Sequence, residues 1–126
     1  MTHFSYHEAF SRNIGWVTRQ EQRRLREKCV AIAGLGGVGG YHLLTLARMG
    51  VTRFNIAEMD RVELANFNRQ VFANVSTIGE EKINVLIKMV RDINPNVQLK
   101  IFPKGVQDDT LDAFLDGADL YVDGLD

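Results

Sequence analysis

The residues of this chain best suited to chemistry begin with a glycine string, Gly34-Leu-Gly-Gly-Val-Gly39, set between a short apolar run and a stretch of helical period. The spacing Gly34-x-Gly36-x-x-Gly39 suits a strand that turns sharply into a helix. Gly34 permits the tight turn, Gly36 lets backbone amides approach a phosphate, and Gly39 lets the helix pack close to the strand. The helix N-terminus then offers unpaired N–H groups and a positive dipole end to an anion. An acidic residue about 20 positions on should hold ribose hydroxyls, and Glu58 stands at that place. A purely structural glycine turn would need neither the helix nor the acid. The fingerprint alone does not choose between NAD and ATP.

The stretch Glu58-Met-Asp-Arg-Val-Glu-Leu-Ala-Asn-Phe-Asn-Arg-Gln70 places carboxylates, amides and an arginine beside the glycine loop. A dehydrogenase more often passes here into a plain helix. Lys82 follows on the first turn of the next helix, so Arg69 and Lys82 offer two cations near a phosphate site. Such a pair suits a triphosphate, whose charge must be offset during attack at phosphorus. Asp60 fits a brace of its own loop as well as a site residue, and Gln70 reads as support for the loop. His3, His7 and His42 read as surface or core fillers, and Trp16 and the phenylalanines as packing. Cys29 opens a strand, which predicts a buried, inert thiol.

Elements must hold these groups in place. Thr18-Arg-Gln-Glu21 fits a capping box opening a charged helix to about Lys28, after an N-terminal arm or short helix. Cys29–Ala33 is continuously apolar, as a strand buried on both faces would be. A helix from about Gly39 to Met49 has Leu43, Leu44 and Ala47 on one face and ends at Gly50. Arg53–Ala57 reads as the second strand, and residues 58–74 as a polar loop with a helical turn near Glu63. A helix from about Gly79 to Asn94 carries Ile83, Leu86, Ile87, Val90 and Ile93 at helical spacing. Val97, Leu99 and Ile101 alternate with Gln98 and Lys100, the pattern of an edge strand. A short helix over 108–116, capped by Asp108, and a fourth strand over 119–122 complete the series. Strands alternating with helices predict a parallel sheet with right-handed crossovers. The expected fold is an α/β Rossmann-like half-sheet of order 3-2-1-4.

Composition narrows the function classes. The chain of 126 residues has room for one compact domain, and 45% apolar with 25% charged residues is ordinary for a globular protein. A formal net charge of -1 gives no global basic field for nucleic acid. No apolar run is long enough to span a bilayer, and residues 1–8 lack the pattern of a secretion signal. One cysteine suits a reducing compartment, so a cytoplasmic protein is expected. No His/Cys cluster has zinc spacing.

Taken together, these motifs resemble the ThiF/MoeB/HesA family and the adenylation domains of ubiquitin-activating enzymes. The resemblance is carried by Gly34-Leu-Gly-Gly-Val-Gly39, including Gly37, then Glu58-x-Asp60-x-Val62, Asn66-x-x-Arg69-Gln70, Gly79-x-x-Lys82, Ile93-Asn-Pro95 and Asp123-x-x-Asp126. It spans roughly residues 9–126. It implies an ATP-dependent adenylyltransferase that activates the C-terminal carboxylate of a ubiquitin-like or sulfur-carrier protein, or a related small acyl or tRNA substrate. In that reading Glu58 holds the ribose of ATP. Asn66, Arg69 and Lys82 meet the phosphates, and Asp126 positions Mg²⁺ and the triphosphate. Arg12, in Ser11-Arg-Asn13, matches an arginine that reaches the partner subunit's ATP in a dimer. A homodimer is therefore expected. The resemblance also implies that residues 1–126 are a nucleotide-binding domain truncated at its C-terminus, the partner groove and any thioester cysteine or zinc pairs lying beyond. Two rival classes are an NAD(P)-dependent oxidoreductase fragment and a non-catalytic scaffold subunit. An intact Arg69 and Lys82 speak against both.

Overall fold

The computed structural model describes residues 3–126. Met1 and Thr2, part of the segment read for a secretion signal, lie outside the described residues. Four strands, β1 Cys29–Ala33, β2 Arg53–Ala57, β3 Gln98–Phe102 and β4 Leu120–Asp123, form one sheet in the order β3-β2-β1-β4. Every pairing is parallel. The central strand is therefore the continuously apolar one, and all five of its residues are buried. Ala33 lies opposite both Ala57 and Asp123, and Ala57 opposite Phe102, so the four strands end level with one another. In such a sheet the C-terminal rim is where ligands bind.

Parallel strands need crossovers, and helices supply them. Two short helices, α1 Tyr6–Ala9 and α2 Arg19–Glu27, precede β1. The crossovers are α3 Gly39–Met49, α4 Lys82–Ile93 and α5 Leu111–Leu115. The capping box at α2 is present: Glu21 N–H donates to Thr18 Oγ1 at 3.1 Å and Thr18 N–H to Glu21 Oε1 at 2.9 Å. The Thr18 N–H bond to the Glu21 carboxyl, with the Thr18 side chain second, holds that exposed carboxyl below its usual range. Helices α3 and α4 cover one face of the sheet. There Leu43, Ile83, Leu86 and Val90 pack with Val30, Ile32, Phe54, Ile56 and Phe72. The other face carries a smaller core in which Phe114 of α5 sits against Ala31, Ala33 and Ala57. Asn55, buried in β2, ties α5 down by donating to the carbonyls of Phe114 at 2.7 Å and Asp116 at 3.2 Å. The thiol of Cys29 is buried as expected, and burial is the main cause that pushes its pKa up.

Three expectations need correction. Helix α4 starts at Lys82, not near Gly79, because backbone groups of 79–82 are engaged with residues 60–62. Gly79 N–H donates to Val62 O at 2.9 Å, Val62 N–H to Glu80 O at 2.8 Å, and Lys82 N–H to Asp60 O at 3.0 Å. Helix α5 starts at Leu111, and Asp108 is not its cap. Residues 107–110 close a turn of their own, with Gln107 N–H donating to Thr110 Oγ1 at 2.9 Å and Thr110 N–H to Gln107 O at 3.0 Å. Trp16 packs nowhere: it is 92% exposed, whereas Phe54, Phe72 and Phe114 are fully buried. Among the described residues no helix is long and apolar enough to cross a membrane.

The buried amide of Asn55 gives a first prediction. Asn55→Ala should leave the carbonyls of Phe114 and Asp116 without their donor and cost about 1–3 kcal/mol, read as a lower urea midpoint with an unchanged slope.

Candidate nucleotide-binding site

A cleft of about 810 Å³ opens along the C-terminal rim of the sheet, within the roughly 300–1,000 Å³ common for small-molecule sites. Its floor is the turn from β1 into α3. Gly34 has φ +84°, a left-handed conformation that disfavours any side chain. At Gly39 the helix lies so close to the strand that a Cβ would overlap the Gly34 carbonyl oxygen. Gly124, just past β4, closes the same packing: its N–H donates to Ala33 O at 2.7 Å, and its backbone lies against Gly34 and Gly39. Sequence reasoning named Gly34 and Gly39 and missed Gly124. Its signal was a glycine inside Asp123-x-x-Asp126, whose contact with the glycine loop spans most of the chain. The N–H groups of Gly36, Gly37 and Val38 donate to no backbone carbonyl outside regular elements. They crowd at the N-terminus of an eleven-residue helix, the arrangement that receives a phosphate.

Glu58 is 9% exposed and lines the cleft. Its Oε1 accepts from Leu35 N–H at 2.8 Å, and its Oε2 from Met59 N–H at 2.9 Å and Asp60 N–H at 3.0 Å. A carboxylate has about four lone-pair sites, so Glu58 first clasps the glycine loop to the end of β2. Asp60 is exposed at the cleft wall; its carbonyl receives the Lys82 N–H and so seats the first residue of α4. The Lys82 side chain lines the cleft although the residue is only 6% exposed. No carboxylate lies within 4.0 Å of its Nζ among the described residues.

The loop between supplies the remaining groups. A 3-10 turn over Leu64–Asn66 is the helical turn expected near Glu63. Asn66, buried, accepts the Glu63 N–H on its Oδ1 at 2.7 Å. Arg69 lays its aliphatic stem over Gly37 and donates from Nη1 to Ala65 O at 3.0 Å and Asn68 Oδ1 at 2.8 Å. Two of its five N–H donors are thereby used. Asp123 and Asp126, at and just past the end of β4, also line the cleft, as do Lys104, Val106 and Gln107 from the segment after β3. Those last three had no motif to mark them.

The structure thus brings Gly34, Gly36, Gly37, Glu58, Asp60, Asn66, Arg69, Lys82 and Asp126 to one cleft. It does not bring Arg12 there. Arg12 sits exposed on a 3-10 turn, Ser11–Asn13, outside the cleft lining. That segment is held by another set of bonds: Tyr6 OH donates to Gly50 O at 2.6 Å, and Gln22 Nε2 donates to Met49 O at 2.9 Å. His3, His7 and His42 are exposed and outside the cleft.

Residues 10–126 match the model of the ThiF family. The chain belongs to the ThiF family. A tRNA threonylcarbamoyladenosine dehydratase of Bacillus subtilis is 34% identical over 118 residues, which are 93% of this chain and 46% of that protein. A sulfur carrier protein adenylyltransferase of Thermus thermophilus is 36% identical over 110 residues, 87% of this chain and 41% of that protein. The crystal structure of E. coli tRNA N6-threonylcarbamoyladenosine dehydratase in complex with ATP superposes with a TM-score of 0.90 at 25% identity, over 95% of this chain and 50% of that one. The chain spans somewhat less than half the length of these two curated relatives.

Close backbone packing at this ThiF-family floor predicts unequal tolerance among its glycines. Gly39→Ala should cost about 3 kcal/mol or more, since the overlap is with backbone. At Gly36, where a Cβ would meet only the Gln70 side chain at ordinary distance, alanine should leave the denaturation midpoint nearly unchanged. Equal midpoints for the two variants would contradict the packing described.

Proposed function

We propose that the full-length protein is an ATP-dependent adenylyltransferase and that residues 1–126 form its nucleotide-binding domain. The observation that carries this reading is Lys82, a largely buried residue whose ammonium opens into the cleft without a carboxylate partner, beside a nest of free N–H groups. An ammonium that faces a cleft with no protein carboxylate to pair it is left to meet the negative charge of a ligand. Arg69, with donors to spare, borders the same space, and a triphosphate has enough charge for both. The glycine-loop amides hold phosphate oxygens, and the remaining accepting capacity of Glu58 takes a ribose hydroxyl.

The reaction in this reading begins with a substrate carboxylate oxygen attacking the α-phosphorus of ATP. The new P–O bond forms as the bond from the α-phosphorus to the bridging oxygen breaks. Pyrophosphate leaves with that electron pair, and the acyl-adenylate remains. No protein nucleophile is needed. Lys82, Arg69 and Asn66 stabilise the charge that moves onto pyrophosphate. Mg²⁺ needs only one or two carboxylates besides phosphate oxygens and water, and Asp126 at the cleft rim is suited to that role. The relatives' names point to two substrate classes, a sulfur-carrier protein and a threonylcarbamoylated tRNA adenosine. Both bear a free carboxylate, so the same first step serves either. The protein is proposed to work as a homodimer, with Arg12 reaching the partner subunit's phosphates. The cytoplasm, where a free buried Cys29 persists, is the compartment this implies.

Two outcomes are expected. The full-length protein should catalyse substrate-dependent exchange of labelled pyrophosphate into ATP and should bind ATP more tightly than NAD. Lys82→Ala should cost about 1.5–3 kcal/mol of phosphate stabilisation, the range of a hydrogen bond to a charged group. No exchange with any carboxylate substrate, or tighter NAD binding, would sink the reading. Separately, sedimentation should show a dimer, and Arg12→Ala should slow adenylation with little loss of that dimer. A fully active monomer would refute the cross-subunit role.

A further inference from the structure

Gln70 is 5% exposed and lines the cleft, yet its side chain makes no protein hydrogen bond. Its Oε1 is the one buried side-chain oxygen or nitrogen without a partner among the described residues. Buried polar groups are ordinarily paired, and an exception asks for a reason. Swapping the amide oxygen and nitrogen would bury an unpaired NH₂ instead, so the assignment of the two atoms does not remove the problem. Nor is Gln70 a displaced surface residue. Its backbone is locked, with its N–H donating to Asn66 O at 2.9 Å and its carbonyl accepting from Ala73 N–H at 2.9 Å.

A side chain needed only to fill this space would be leucine or methionine, which have no polar atoms to strand. The amide is instead aimed at the glycine loop. Its Nε2 lies 3.5 Å from where a Cβ on Gly36 would stand. The missing side chain at position 36 therefore leaves this NH₂ facing the space over the loop amides. Lys82 and Arg69 border the same cleft.

We propose that Gln70 is a phosphate-binding residue of the cleft, whose carboxamide N–H₂ donates to a nucleotide phosphate oxygen above Gly36. The inference rests on the nucleotide-binding reading and deepens it. Lys82 supplies charge without fixed direction, since an ammonium on a flexible stem adapts to many positions. A buried amide on a locked backbone supplies a donor at one place, and so selects the position of the phosphate chain. Like Oε1, the Nε2 hydrogens have no protein partner, and they are the groups a phosphate oxygen, an acceptor only, can take up.

The test compares ATP with adenosine, which lacks phosphates, by calorimetry or competition on the full-length protein. Gln70→Met removes both polar ends at similar volume. It should weaken ATP binding roughly 10- to 100-fold, as loss of a hydrogen bond to a charged group does, and leave adenosine binding unchanged. Gln70→Glu has nearly the same shape but replaces the donor by an anion. Its loss of ATP affinity relative to the unsubstituted protein should shrink as pH falls and the carboxyl gains a proton that can donate. That pH dependence would not arise from a residue that merely supports the loop, and it remains measurable if the methionine variant folds poorly. Equal losses for ATP and adenosine in Gln70→Met, or a pH-independent deficit in Gln70→Glu, would overturn the assignment. If the unsubstituted protein binds neither ligand, the nucleotide reading itself fails instead.

Discussion

A single buried carboxylate joins the two halves of the cleft. Through Leu35 N–H, Glu58 holds the glycine loop; through Met59 and Asp60 N–H, it holds the first turn of the next loop. Asp60 then passes the connection on, its carbonyl accepting the N–H of Lys82. A continuous path of short hydrogen bonds therefore runs from the glycine loop, across the end of β2, to Lys82 at the start of α4. Charge-assisted bonds of this kind are about twice as strong as neutral ones. Their length and direction fix where the N–H nest and the backbone of Lys82 stand relative to one another. A site that must grip a flexible, highly charged chain needs that separation set before the ligand arrives.

The second constraint is steric. Gly34, Gly39 and Gly124 bring three backbones into contact at the ends of β1 and β4 and the start of α3. The contact brings the end of β4, with Asp123 and Asp126, to the same cleft as Lys82 and Arg69. The cleft is mixed in charge, Arg69, Lys82 and Lys104 sharing it with Glu58, Asp60, Asp123 and Asp126.

The rest of the fold serves this geometry unevenly. The face covered by α3 and α4 has a large core, whereas the face covered by the five-residue α5 has a thin one that leans on Phe114 and its edge contacts with Phe102 and Tyr121. The outer edge of β4 exposes Leu120 and Tyr121, with Leu125 just beyond. Natural sheets usually cover such an edge, and in the ThiF-family relatives this chain aligns with less than half of the protein. The N-terminal segment is tied to the far end of α3 by Tyr6, Asn13 and Gln22, and it carries Arg12 away from its own cleft.

What the sequence determined by itself was local or periodic. The apolar run 29–33 and the edge-like alternation after Asn94 sufficed for the strand order, since burial on both faces and burial on one leave different patterns. The glycine spacing with Glu58, and the series from Asp60 to Lys82, sufficed for the cleft and the family. Tertiary structure decided what depends on partners distant in the chain. The start of α4 shifted to Lys82 because 79–82 found backbone partners at 60–62. The start of α5 shifted because Thr110 closed a turn over 107–110, where Asp108 was expected to cap the helix. Trp16, apolar by type, packs nowhere in this chain because no other element reaches it. Gly124, some 90 residues from the loop it packs on, and Gln70, placed in the sequence as loop support but found buried with its amide unpaired, acquire meaning only from their neighbours in space. Residue type and period report which face of an element is apolar. Whether a particular amide or ammonium finds a partner depends on how the elements meet, which no local pattern encodes.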